Sequence, residues 1–455
     1  MRKLLNIPGR LAGVLLLGLT LVLSWSQAQA VHDIRGITPV GGAFNLYAFP
    51  FNMNLPEGTS LYMWGFGDMT GGSGATHPEG QGYNLPQYPG PTLIVTQNQP
   101  VTINLTNFGV PQPVSMVIDG QEVIASGGSA GLVTHAANVG ETVSYSFTPT
   151  NPGTYIYHSL GNTNPGLHVE MGLLGVLIVR PADNSRSAYG TGTLTDYDQE
   201  FLYLMTEIDP DLHIQMERGH ITHFTYSDRF AKVWFINGRV FPDLFQGDYN
   251  PIYPHQPYQA LVSAHPGDRV LVRNSNAGSD SHPMHYHGEN LTFVGRDGRM
   301  LSSDGLVADL GRSDNTINSA PKQTIDALWT WTGKDLNWDI YGHDTAHVCV
   351  DGDGDGFGDV SAGSTYEHEY CADHGKAFPV QLPGVGELTL GGWWSGSPFL
   401  GDVGDLPPGE GGLNPFGGYF LVWHSHNEKE LTTFNIFPGG TLGAVVVLPP
   451  DVTIE

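Results

Sequence analysis

The chain of 455 residues carries 19 Lys and Arg against 45 Asp and Glu, with 61 Gly, 32 Pro and 2 Cys. Gly and Pro together make about a fifth of it, which suits short strands joined by many turns and excludes a helical bundle or coiled coil. A formal charge of −26 argues against a nucleic-acid groove or an anionic membrane surface as partner and favours cations. The length allows two or three domains, each able to bury a core.

The first thirty residues read as a secretory leader. Arg2, Lys3 and Arg10 precede an apolar run over 11–23, and Ala28-Gln29-Ala30 supplies the small residues of a cleavage site, expected after Ala30. The run falls short of the ~20 residues needed to span a bilayer, so no membrane anchor is expected. Removal of 1–30 leaves 16 basic against 45 acidic residues, −29 in total. A secreted or periplasmic location is expected, oxidising enough for Cys349 and Cys371 to pair; a Cys metal site would need a second pair.

A first β-rich unit is expected over 31–182, with alternating, turn-bounded strands at 92–95, 101–105, 142–147 and 175–179. Residues 183–192 are polar and contain Gly, as a linker would. A second unit follows over 194–455, with strands at 233–238, 258–262, 268–272, 291–295 and 443–447 in a similar order. Two related β-sandwiches are the economical reading, hence an all-β fold. From about 333 to 416 the pattern breaks into a stretch rich in Gly, Asp and Trp, expected to be an insertion in the second unit that runs over the surface with its own ordering devices.

The histidines carry the densest chemical signal. His282, His285 and His287 stand together before a strand, and His424 and His426 lie near the C-terminus. Residues two apart on a strand share a face, so each pair, His285 with His287 and His424 with His426, aims two imidazoles in one direction. Two such pairs on neighbouring strands make a four-imidazole site suited to copper, zinc, iron or nickel. The alternative is packed or loop-capping histidines, which two pairs at strand spacing disfavour.

These motifs have company in chain order: the segment 89–95 opening Pro89-Gly90-Pro91, Tyr157-His158-Ser159 closing 153–159, the glycine-started run 172–179, 282–288 and 424–426, with weaker matches at 130–135 and 235–238. In this order they resemble the multicopper oxidase family, in particular the two-domain laccases and copper nitrite reductases. The resemblance implies two cupredoxin-like Greek-key β-sandwiches, copper as cofactor, oxidoreductase chemistry with dioxygen or a small reductant, and a homotrimer with copper held between subunits. It places five of the eight trinuclear-cluster histidines at His158, His285, His287, His424 and His426, and one type 1 copper ligand at His282. Ser425 stands where the family has the type 1 Cys, Glu430 where it has the next type 1 His, and neither Phe434 nor Asn435 offers the axial Met. A hydroxyl does not replace a soft thiolate, so no type 1 copper is expected there. The first-domain His motif maps near Met116 to Gly120 without a His, although Asp119 could give an oxygen ligand, and Leu160 replaces another cluster His. The nitrite-reductase type 1 pattern in the first unit, His158, His168 and Met171, likewise has Ser159 for Cys, and His168 is read as structural.

Within the insertion, Asp351, Asp353, Asp355 and Asp359 alternate around Gly356 in the manner of an EF-hand-like calcium loop. Ala362 stands at the twelfth position, so Glu367, Glu369 or Asp373 would have to close the shell; a solvated acidic turn is the alternative. Trp329, Trp331, Trp338, Trp393 and Trp394 are read as core rather than a ligand groove, and His213, His220, His223, His343 and His347 as surface or capping groups. The function expected is that of an exported, divergent, copper-binding protein of multicopper-oxidase type, an oxidoreductase if active. A non-catalytic extracellular scaffold and a metal store are the alternatives.

Overall fold

The computed structural model describes residues 32–70, 85–161, 164–220, 225–334, 336–377, 396–397, 419–450 and 452–454. The leader, His223, Trp393, Trp394 and most of the second half of the insertion lie outside the described residues.

The fold is all-β. Its four large sheets fall into two pairs, one drawn from residues 43–180 and the other from 199–447. In the first pair, a five-stranded sheet runs in the order Ser60–Asp68, Ala43–Asn54, Val101–Asn107, Thr142–Phe147, Ile124–Gly127. Val101–Asn107 shows why it is a strand: Val101, Ile103 and Leu105 turn inward while Thr102, Asn104 and Thr106 face out, the period-2 pattern of a half-buried sheet. Opposite it stands a four-stranded sheet, Leu93–Thr96, Leu174–Arg180, Gly153–His158, Val117–Ile118. Phe44, Leu46 and Ile103 from one sheet and Leu93, Tyr157 and Leu177 from the other meet in a single apolar cluster, which is what closes the sandwich.

The second pair repeats the plan. In one of its sheets the strand Gln199–Ile208, second from the edge, is buried along its whole length and pairs in parallel with Arg269–Asn276. The opposing sheet runs Leu261–Ala264, Leu442–Val447, Tyr419–Ser425, His282–Tyr286, Thr316–Ser319. At the end of Val233–Ile236 the chain reverses through Asn237 and Gly238, both at positive φ, and a Cβ on Gly238 would lie 2.1 Å from the Tyr88 carbonyl oxygen of the first half. Glycine is therefore required there twice over, for conformation and for space.

The two halves share an apolar cluster, with Met63, Tyr88, Ile156 and Ile178 from the first packed on Leu202, Leu204, Phe235 and Ala277 from the second. A buried ionic network crosses the same boundary. The Arg180 guanidinium donates two hydrogen bonds to the Glu200 carboxylate, which also accepts from Arg273 Nε at 2.6 Å. Thr154 Oγ1 donates to Asp326 at 2.6 Å and accepts from Arg273 at 3.0 Å. Burial would raise the Glu200 pKa, but the two arginines outweigh it and bring it down to about 2.

Residues 336–341 of the insertion are not a surface excursion. Leu336, Trp338, Ile340 and Tyr341 join Trp329, Trp331, Tyr419 and Trp423 in the second core, and Trp338 Nε1 donates to Tyr419 Oη at 2.7 Å. Trp329, Trp331 and Trp338 are thus core residues, as expected. Cys349 and Cys371 form a disulfide with Cα atoms 5.5 Å apart.

Candidate metal centre

Strands His282–Tyr286 and Tyr419–Ser425 are antiparallel neighbours, in a register that sets His285 opposite His424 and Met284 opposite Ser425. Alternation then sorts the side chains. Met284, Tyr286, Tyr419, Leu421 and Trp423 enter the core cluster, and the other face carries His285, His287, His424 and His426. The four rings meet there. The His285 centroid lies 4.7 Å from His287, 5.6 Å from His424 and 4.1 Å from His426, while His287 and His424 bring their Nε2 atoms to 3.1 Å. His285 and His287 are buried, and His426 is exposed.

Outer contacts orient the rings. Thr316, the cross-strand neighbour of His285, places Oγ1 2.9 Å from His285 Nδ1. His424 Nδ1 donates to the Ser425 carbonyl oxygen at 2.9 Å, which leaves its Nε2 for the cluster. Burial first, and then the charges of His287, His426 and His424, push the His285 pKa down to about 3. At neutral pH this imidazole is a lone-pair donor. The donor set is all imidazole and suits copper. Among the described residues, however, the quartet does not gather three donor atoms within 4.8 Å of one another; that closeness is reached only by Asp339, His347, Glu369 and His374, and by Asp351, Asp353 and Asp359.

His282, expected as a contributor to copper binding, does not join the quartet. It lies an odd number of residues from His285, so it falls on the opposite face, where it is fully buried between two carboxylates. Its Nε2 is 2.9 Å from Glu207 and its Nδ1 3.0 Å from Glu430, so both ring nitrogens are spoken for. Burial alone would lower its pKa, but the two carboxylates outweigh that and raise it to about 10. The two carboxylates thus favour the charged imidazolium form of His282. Ser425, on the same face, accepts from the Asn427 amide N–H, and the Asn427 side chain donates to Glu430. Arg229 closes the arrangement by bridging Glu207 and Glu170.

His158 also stands apart from the four rings. Its Nε2 lies 3.3 Å from Asp119 Oδ1, so the carboxylate expected as a metal ligand meets this imidazole directly, and burial is the main cause of the lowered His158 pKa. In the first unit, Ser159 Oγ lies 2.8 Å from His168 Nδ1, and Gln112 approaches His168 Nε2 at 3.1 Å, so both nitrogens of this buried ring have protein partners.

In the acidic loop, Asp351, Asp353 and Asp359 converge, whereas Asp355 turns to accept from the Phe357 amide. Glu367 accepts from the Val360 amide at 2.6 Å, and Glu369 and Asp373 are engaged elsewhere. Two histidines read as surface or capping groups have inaccessible side chains instead, His213 fully buried and the His347 ring 1% exposed. His213 reaches across to the Tyr62 carbonyl of the first half, and His347 sits in a cluster that sequence reasoning missed. Its ligand-type residues are separated by irregular spacings, so no motif announces them.

The family model described as Multicopper oxidase matches residues 72–184. The chain is 25% identical over 219 residues to the copper-containing nitrite reductase of Neorhizobium galegae, a match covering 46% of this chain and 53% of that protein. It is 32% identical over 126 residues to the L-ascorbate oxidase of Cucurbita pepo var. melopepo, covering 27% of this chain and 21% of that protein. These matches span at most about half of either relative. Among solved structures, the blue copper oxidase from Nitrosomonas europaea superposes with a TM-score of 0.51 at 16% identity, covering 90% of this chain and 86% of that one. The multicopper oxidase mgLAC gives 0.52 at 16% identity, covering 92% and 88%.

Proposed function

We propose that the protein is an exported copper-binding protein that holds copper on His285, His287, His424 and His426 and carries no type 1 copper, a reading supported by the multicopper oxidase model match at residues 72–184 and by the cupredoxin-like fold over nine-tenths of the chain. The observation that carries the proposal is the meeting of the four imidazoles on one sheet face, with His285 kept neutral. Bound copper would supply one-electron exchange. Around it, Thr316 and the Ser425 carbonyl orient two of the rings, and the exposed His426 leaves a path for a small reductant or dioxygen. A second copy of the chain would supply further donors, in keeping with the homotrimer that the resemblance implies. The leader at 1–30 supports export. Calcium on Asp351, Asp353 and Asp359, with water and backbone oxygens completing the shell, would order the insertion.

A second reading is favoured by one observation. The imidazolium of His282 between Glu207 and Glu430 takes the place of the electron inlet, which suits copper storage or a non-catalytic scaffold better than oxidase turnover. The deciding experiment loads the leader-free protein with copper and follows metal content, paramagnetic resonance and oxygen uptake with ascorbate. Copper retained without a blue thiolate band, and lost in His285→Ala and His426→Ala, supports the copper-binding reading; oxygen uptake then separates enzyme from store. Absence of retained copper leaves only the scaffold.

A further inference from the structure

We propose that Asp339, His347, Glu369 and His374 form a second metal site, separate from the imidazole quartet, that binds a zinc ion and fastens the insertion to the second core.

The four side chains each bring one donor atom to within 4.8 Å of all the others. His347 Nε2 lies 3.1 Å from Glu369 Oε1 and 3.3 Å from Asp339 Oδ2; His374 Nδ1 lies 2.6 Å from the same Glu369 oxygen and 3.8 Å from the same Asp339 oxygen. Three of the four are nearly inaccessible, with side-chain exposures of 1%, 1% and 2% for Asp339, His347 and Glu369. The surroundings have the outer contacts of a ligand set. His347 Nδ1 donates to the Thr345 carbonyl at 2.7 Å, which fixes the ring and aims Nε2 at the carboxylates. Asp339 is held by the amides of Tyr341 and Gly375, and the Tyr341 and Tyr366 rings wall the imidazole.

Two further facts point to an ion. Glu369 Oε2 is buried without a hydrogen-bond partner. Among the described residues, neither Asp339 nor Glu369 pairs with a Lys or Arg, so two buried carboxylates face two imidazoles with no fixed cation; a dication balances them while both imidazoles stay neutral. Two nitrogens and two oxygens without a thiolate suit zinc, and the imidazoles disfavour calcium, whose oxygen-only loop lies nearby. Four protein ligands leave no open position, so the role is structural. The ion would join Asp339, between the core residues Trp338 and Ile340, to the arm that carries Glu369, Cys371 and His374.

The test uses the full leader-free chain, stripped of metal, saturated with calcium and carrying His285→Ala and His426→Ala to disable the quartet. Titration with zinc chloride is expected to show one ion per chain, with a zinc X-ray absorption spectrum of nitrogen and oxygen ligands only and a raised thermal midpoint. His374→Ala removes a partly exposed ligand and should weaken binding roughly tenfold or more; Glu369→Gln should do at least as much and abolish the thermal shift. Zinc that fails to bind in the quartet-disabled chain, or binds equally well in both further variants, overturns the proposal and leaves the cluster as an ion pair of His347. Either result is independent of copper on the quartet.

Discussion

Replacing His282 with Gln tests whether the two carboxylates around it hold an imidazolium. In the native fold His282 is 0% exposed between Glu207 and Glu430, and its pKa rises from 6.5 to about 10. Removing one partner of a buried ionic arrangement costs about 3–5 kcal/mol. Linkage gives a figure of the same order: at roughly 1.4 kcal/mol per pKa unit, the rise contributes up to about 5 kcal/mol. The sign follows from the direction of the shift. A group whose folded pKa is raised stabilises fully below its unfolded value, here 6.5, and that contribution fades as pH climbs toward 10. Urea unfolding of native protein and His282→Gln, followed by tryptophan fluorescence at several pH values from 6 to 10, should therefore show a gap of about 3–5 kcal/mol near pH 6 that shrinks steadily and is nearly closed at pH 10. A gap that stays constant across this range, or one below about 1 kcal/mol at neutral pH, would refute the imidazolium assignment. Glu430→Gln, which removes one carboxylate and keeps its shape, should lower the alkaline end of the wild-type loss, a check independent of the His282 substitution.

Three other outcomes are expected. Ser425→Cys alone should give no intense blue absorption on copper loading, because both nitrogens of His282 are taken by Glu207 and Glu430; a blue band in the single variant would show that the carboxylates release the ring. Glu200→Gln should lower stability by about 3–5 kcal/mol, since it leaves the Arg180 and Arg273 guanidiniums buried beside a neutral amide; calorimetry that finds less than about 1 kcal/mol would mean the network relaxes. Reducing the disulfide, which spans 22 positions, should destabilise the insertion by about 3 kcal/mol and speed protease cleavage within it. Unchanged cleavage on reduction would mean that metal and core contacts hold the loop without the bond.

The sandwich pattern was legible because it rests on period-2 alternation and turn residues, both local. The strands at 142–147 and 443–447 are read almost residue for residue. The meeting of His285, His287, His424 and His426 was legible for the same reason, since spacing by two fixes a shared face. That rule also separates His282 from them, and the resemblance to a copper ligand obscured it. The buried strand Gln199–Ile208 carries Glu200 and Glu207, charges that read as surface until Arg180, Arg273 and Arg229 arrive from distant segments. His347 and Glu369 are hidden likewise: their neighbours come from an irregular loop with no periodicity to count. Asp355 fits the loop spacing, but its carboxylate caps the next turn.

The strand Tyr419–Ser425 has one electrical consequence. Beneath the imidazoles, Ser425, Asn427, Glu430 and His282 form a hydrogen-bonded chain in which no member changes oxidation state. A metal ion held on the quartet would meet no thiolate on the core side and would meet solvent at His426. Its potential would then equilibrate most readily with small molecules able to touch the rings from the His426 side.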